Sequence, residues 1–367
     1  MHFFRQKAEQ RIYQEPSQQS TLLVSNFYYI WNEPIQCFML VILAGIENQL
    51  FSDTFTWFVI FLVISLLIGS YFYAKSLHKH FYDENKKLTD KLSERSYNVM
   101  MQKWDLERRN LSISQQNREI LESLHYAQNI QNAILPRPEK LSTWFHDSFV
   151  YYKPKDIVSG DFYFLEKLGD NYYIAASDCT GHGVAGAFMS MLGISLLKQI
   201  IVENNISDPA EILAHLNRRV LESLRHSETS SHGGMDIALC AIDLQKMELT
   251  FAGANRPVLI IRNYEVNYHR GDKTPIGGFF PEEDRKFTSQ VFPIKKNDRI
   301  YLYTDGYADQ FGGMEGKKLM TKKFKEILFN VHETPMTGQK QTLDHYLENW
   351  KGKFEQVDDL LVIGIKI

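Results

Sequence analysis

Cysteine is scarce in this 367-residue chain: Cys37, Cys179 and Cys240 stand far apart and form no C-x-x-C pair. That scarcity excludes a disulfide framework and a cysteine-built zinc site, and it fits a reducing compartment. A dominant charge is missing too, since 41 basic residues face 44 acidic ones for a net charge of −3. Such a balance leaves no electrostatic footprint for nucleic acid, and none is expected as a partner. With 21 glycines, 11 prolines and 44% hydrophobic residues, neither a collagen repeat nor wholesale disorder fits.

The most informative absence is local. No lysine or arginine occurs between Arg11 and Lys75. Inside that gap Phe55 to Ala74 reads FTWFVIFLVISLLIGSYFYA, without one formal charge. About 20 apolar residues are what a helix needs to cross ~30 Å of hydrocarbon. Trp57 at one end and Tyr71 and Tyr73 at the other suit the two interfaces. A shorter run, Ile35 to Ile46, reaches spanning length if Phe27–Trp31 extends it. Residues 28–75 are therefore read as a membrane region with a two-helix hairpin, whose second span is 55–74. Arg5, Lys7 and Arg11 precede the hairpin, Lys75 and Lys79 follow it, and the connecting Glu47–Thr54 segment has no basic residue. By the positive-inside rule both ends, including the N-terminal segment 1–27, lie in the cytoplasm.

Residues 77–135 contain neither proline nor glycine, and an apolar row recurs every seven positions at Leu92, Val99, Leu106, Ile113, Ile120, Ala127 and Ile134. This period predicts a long coiled-coil helix and a homodimer. The companion row is half polar, with Arg95, Gln102, Arg109 and Gln116, so the coil is expected to be marginal and able to switch packing. Pro136 and Pro138 end it. Residues 141–367 are long enough for one compact domain. Asp208-Pro209-Ala210-Glu211 predicts a helix start. Strands are expected at Tyr172–Ala176, Ile237–Ile242, Leu249–Ala252, Val258–Ile261, Ile300–Tyr303 and Leu360–Ile365, with hairpin-like spacing that favours antiparallel sheet.

The chemistry lies in aspartates at strand ends. Asp161 (VSGDFY) and Asp358-Asp359 (VDDLLVIG) each precede an apolar run, whereas Asp178 (DCTGHG) and Asp305 (YTDGYAD) each close one. If those strands run antiparallel in one sheet, all four positions meet at one edge. Turn chemistry alone explains any one of them; the ordered set asks for more. Clustered like charges are unfavourable unless a cation neutralises them, and hard carboxylate oxygens favour Mg²⁺ or Mn²⁺. Two such ions can bind a phosphate and activate a water for attack on phosphorus.

These motifs resemble those of the metal-dependent (PPM-type) protein serine/threonine phosphatases, in particular the SpoIIE/RsbU-like branch. Further similarity runs through LHYAQNIQNAILP (Leu124–Pro136), GMDIALCAID (Gly234–Asp243), FAGANRPVLII (Phe251–Ile261) and PIGG (Pro275–Gly278), so that it covers about residues 120–367. The resemblance implies an αββα sandwich of two antiparallel sheets flanked by helices, behind the membrane hairpin and coiled-coil helix. It implies two Mn²⁺ or Mg²⁺ ions, with Asp178 bridging both, the backbone carbonyl of Cys179 as a further ligand, and Asp305 and Asp358 on one ion. Asp161 contributes beside them, and Asp359 stays open as an alternative to Asp358. His182 is a candidate general acid or a backbone-ordering residue. The implied reaction is hydrolysis of phosphoserine or phosphothreonine by a metal-bridging water. The implied substrate is a STAS-type anti-sigma-factor antagonist, and the place is the inner membrane with the catalytic domain in the cytoplasm. One departure stands out: Gly253-Ala254-Asn255 replaces the family's commoner Ala-Gly-His, so no histidine role transfers there. Lys153 and Lys155 are candidates for steering phosphate, with plain solvation as the alternative.

Three rival readings are weaker or excluded. A catalytically silent membrane scaffold need not keep every aspartate motif. A sensor histidine kinase would need an ATP-binding box, and His125 is followed by none. Gly312-Gly313-Met314-Glu315-Gly316-Lys317-Lys318 lacks P-loop spacing.

Overall fold

The computed structural model describes residues 36–40, 42–45, 54–181, 183–224, 233–278 and 285–367. The chain divides into two compact units, residues 1–109 and 110–367. Helix α1, Thr54–Ile134, is continuous for 81 residues and joins the apolar 55–74 run and the heptad segment without a break. It stops where Pro136 removes a backbone donor and restrains the residue before it. An 18-residue window of this helix has a mean hydropathy of 1.7 and is unburied. Leu92, Val99, Leu106, Ile113 and Ile120 are all exposed along it. Residues 36–40 and 42–45 are helical, but most of the first predicted span and its connection to the second lie outside the described residues.

After the short helix α2 (Glu139–Trp144), the second unit builds two antiparallel sheets. The first has the order β1-β13-β10-β6-β7, from Ser148–Lys153, Leu360–Lys366, Arg299–Tyr303, Val258–Arg262 and Glu265–His269. The second has the order β2-β3-β4-β5-β9, from Phe162–Leu168, Asn171–Cys179, Gly234–Asp243, Glu248–Ala254 and Gln290–Pro293. The two-residue strand β8 (Ile276–Gly277) pairs with β4, and β11 (Phe311–Gly312) pairs with β12 (Lys317–Lys318). All six predicted strands are present. Strand β1 and the peripheral β7 and β9 were not foreseen, because their alternation is short and partly polar.

Period-2 alternation sorts the first sheet between two cores. Val150, Ile260, Ile300, Leu302, Leu361 and Ile363 join the core shared with the second sheet. Their neighbours Tyr151, Leu259, Tyr301, Tyr303, Leu360 and Val362 join another core with Phe324, Leu328, Leu343 and Leu347. Those four belong to helices α6 (Thr321–Val331) and α7 (Met336–Lys351). On the far side of the second sheet lie α3 (Gly183–Lys198), extended by a π-turn over Gln199–Glu203, and α4 (Pro209–Leu224). The α3 stretch is apolar enough to span a membrane yet mostly buried, which marks it as a core helix. Asp208 caps α4 as its sequence predicts, accepting from the Glu211 N–H at 3.0 Å. The result is a helix–sheet–sheet–helix sandwich.

Where the one-turn helix α5 (Gly306–Asp309) begins after β10, its backbone runs close against that of Asp359. A Cβ on Gly306 would lie 1.9 Å from the Asp359 carbonyl oxygen. Gly306→Ala is therefore expected to lose about 2 kcal/mol by overpacking. That corresponds to a fall in Tm of roughly 4–8 °C for a unit of this size, read by thermal unfolding; an unchanged Tm would contradict this account of the turn.

Candidate active site

Strand direction brings the four aspartate motifs together, but from two sheets rather than one. Asp161 opens β2 and Asp178 lies at the end of β3, antiparallel neighbours in the second sheet. Asp305 follows β10 and Asp358-Asp359 precede β13, antiparallel neighbours in the first. The carboxylates thus face one another across the seam of the sandwich.

Thr304 joins the two sides. Its hydroxyl donates to Asp161 Oδ2 at 2.6 Å and accepts from the Leu361 N–H at 3.2 Å. The adjacent pair Asp358-Asp359 divides its duties. Asp359 is buried, and its Oδ1 accepts from the Lys155 N–H at 2.8 Å while its Oδ2 accepts from the Gly160 N–H at 2.7 Å. Both oxygens are thereby committed to the connection between β1 and β2. Asp358 is partly exposed and accepts one local bond, from the Asp359 N–H at 2.9 Å.

Two side chains that sequence reasoning did not assign complete the cluster. Asp236 on β4 is paired in register with Asp178. Arg256, in the β5–β6 turn, reaches the centre from the same side. Its Nη2 lies 2.5 Å from Asp178 Oδ2, 2.8 Å from Asp305 Oδ2 and 3.6 Å from Asp236 Oδ2. Asn255 donates to Asp236 Oδ1 at 2.8 Å. Both residues stand in stretches already noted as similar to the family, GMDIALC and GANRP; Asp236 is a polar residue inside an otherwise apolar strand, which marks its place but not its partners, and Arg256 in its turn gives no such signal.

The electrostatics follow from crowding. Burial, then the charge of Asp178, push the Asp161 carboxyl well above the usual range, against the Thr304 hydrogen bond. Burial also pushes Asp178 up to about 8, with Arg256 opposing and Asp305, Asp358 and Asp236 adding to the rise. Asp236 and Asp358 are raised as well, first by burial. Burial works against the charge of Arg256, yet Asp305 and Asp178 hold its pKa above the ordinary value. An acidic centre short of positive charge has hard-oxygen donors that fit a divalent ion such as Mg²⁺ or Mn²⁺. Among the described residues no three acidic, histidine or cysteine side chains yet surround a common metal position, and the Arg256 guanidinium lies among the oxygens instead.

The Cys179 thiol is buried in the core, so only its backbone is available at the seam. His182 lies outside the described residues. Lys153 is engaged with Glu348 and Asp344 on α7 rather than pointing at the cluster. Gln131, near the end of α1, donates to the Ser159 carbonyl at 2.7 Å and to Ser190 Oγ at 2.8 Å, and accepts from the Ser159 N–H at 3.1 Å. It ties that helix to the loop before Asp161 and to α3.

The family model for stage II sporulation protein E (SpoIIE) matches residues 169–367. This chain belongs to the SpoIIE family. Among solved structures, the SiaA-PP2C domain of Pseudomonas aeruginosa is 31% identical with a TM-score of 0.62, over 68% of this chain and 98% of that one. The phosphatase domain of SpoIIE from Bacillus subtilis, solved with a fragment of its regulatory domain, is 21% identical with a TM-score of 0.49, over 60% of this chain and 62% of that one. No curated protein matches the chain. The second unit is thus a PP2C/SpoIIE-type phosphatase domain, of the branch its motifs resemble.

The unequal roles of the aspartate pair can be measured. In chelator, Asp359→Ala should cost about 3 kcal/mol by orphaning the backbone donors of Lys155, Gly160 and Asp161, whereas Asp358→Ala should cost less than about 1 kcal/mol. Urea unfolding of the two variants checks this, and equal losses would remove the distinction.

Proposed function

We propose that this protein is a membrane-anchored, metal-dependent protein serine/threonine phosphatase. The observation that carries this reading is the gathering of Asp161, Asp178, Asp305 and Asp358 at the sheet seam of a PP2C/SpoIIE-type domain. In it, Asp178, the Cys179 carbonyl, Asp305 and Asp358 hold two Mn²⁺ or Mg²⁺ ions, with Asp161 beside them. Such ions, when bound, supply an activated water and a charge clamp for the phosphoryl group.

The chain's own residues do the positioning. Thr304 orients Asp161, Asp359 fastens the β1–β2 connection, and the β3–β4 pairing sets Asp236 beside Asp178. With Asp359 bound to backbone donors, Asp358 is the member of the pair left to meet an ion. His182 keeps its candidate role in proton transfer or loop ordering. The substrate is a phosphorylated regulatory protein, of the STAS anti-sigma-factor-antagonist type.

The domain division proposed is a cytoplasmic segment 1–27, a membrane region 28–75, a signalling helix 77–135 and the phosphatase domain 141–367. Support for the inner-membrane anchor is the uncharged 55–74 stretch, the unburied apolar window of α1 and the basic residues that flank the stretch. Support for a homodimer is the exposed heptad row, which a second copy of α1 would cover. Because Gln131 bonds to Ser159, two residues before Asp161, repacking of that helix is positioned to alter the site.

Phosphoserine-peptide hydrolysis should appear with Mn²⁺ or Mg²⁺, vanish in chelator, and fall about 10²-fold or more in Asp178→Asn. Metal-independent turnover would exclude the metal-dependent reaction, and no turnover with a panel of phosphoproteins despite bound metal would favour the silent scaffold. Mild oxidation of Ile113→Cys should give a crosslinked dimer, whereas Gln115→Cys, on the opposite helix face, should not. Equal crosslinking at both positions would exclude the heptad interface.

A further inference from the structure

Two arginines of the same sheet region show contrasting designs. Arg262 is a fitted structural bridge: its Nε and Nη2 donate to the two oxygens of Asp298 at 2.8 and 2.6 Å, and Nη2 also reaches the Pro293 carbonyl. This is the bidentate fork that guanidinium and carboxylate geometry favours. Arg256 makes no such fork. A single nitrogen, Nη2, is shared by Asp178, Asp305 and Asp236, which stand on three different strands or their ends. Its buried Nε has no hydrogen-bond partner. The side chain is only 11% exposed, so little of it is open to bulk solvent.

The root of Arg256 is firmly held. Asn255 takes a left-handed backbone with φ 59° and donates its N–H to the Asp272 carbonyl at 2.7 Å. The Arg256 N–H donates to the Ala254 carbonyl at 2.7 Å. Gly253 leaves room for this turn, since a Cβ there would lie 2.3 Å from the Arg256 carbonyl oxygen. The backbone cannot withdraw, so any change in what the guanidinium touches is made by rotating the side chain.

We propose that Arg256 is a tethered cation that occupies Oδ2 of Asp178 and Oδ2 of Asp305 when no metal is bound, and must leave both for a divalent ion to bind them. This rests on the metal-centre reading of the same cluster. One guanidinium and one metal ion cannot share the same oxygens at contact distance, because like charges a few ångströms apart repel strongly in a partly buried site. Arg256 therefore acts through Asp178 and Asp305, holding the carboxylates together and setting how tightly they take metal.

Titration of the full chain with Mn²⁺ alone, followed by calorimetry, tests this, with thermal unfolding in chelator alongside. Arg256→Gln should bind Mn²⁺ at least tenfold more tightly than wild type and should unfold several degrees lower in chelator. A purely structural bridge would lower the unfolding temperature without tightening the metal. Equal or weaker Mn²⁺ binding by a folded variant overturns the proposal and leaves the metal centre standing. Failure of both proteins to bind Mn²⁺ overturns both. If Arg256→Gln does not fold, a Mn²⁺-loaded crystal structure of the wild type decides. A guanidinium clear of Asp178 and Asp305 supports displacement, and one still on both overturns it.

Discussion

Several carboxylates share one partly buried seam, and most of the local structure answers the repulsion among them. Like charges at this spacing raise one another's pKa and destabilise the fold unless donors or cations meet them. The protein meets them in three ways. Thr304 donates a hydroxyl to Asp161, backbone N–H groups saturate Asp359, and Arg256 reaches into the remaining group. Asp178, Asp236 and Asp358 still sit above their ordinary range, first because burial penalises their charge and then because neighbouring carboxylates repel it.

The sandwich makes such crowding possible. Each sheet alone delivers only two of the four motifs, and packing sheet on sheet closes the gap between them. Alternation along β1, β6, β10 and β13 supplies apolar residues to both faces at once. The first sheet is therefore clamped between the second sheet and the α6–α7 pair. Close backbone approaches, such as Gly306 against Asp359, then hold the strand ends at the separation the cluster needs.

The link from α1 to the seam is short and polar. Gln131 uses both ends of its amide on Ser159 and adds a contact to Ser190 on α3. A buried, fully used amide specifies one docking of the helix end more sharply than apolar contact alone, because misplacement leaves polar atoms unpaired. The same helix carries an exposed apolar row farther back. One continuous element thus bears a surface suited to a partner and a joint beside the acidic centre.

Local pattern alone was enough for the long helix, the capped start at Asp208, six strands and the four aspartate motifs. Each of those depends on a period, a cap or a turn within a few residues. The assignment to two sheets was not in the pattern itself; antiparallel order is compatible with one sheet or two, and it was the family resemblance that implied a sandwich. Asp358 and Asp359 are adjacent and chemically identical, and only packing against Gly160 and Lys155 distinguishes them. Asp236 and Arg256 were invisible as site residues for the same reason. Their partners lie tens of residues away, and charge neutralisation across that distance depends on tertiary contact.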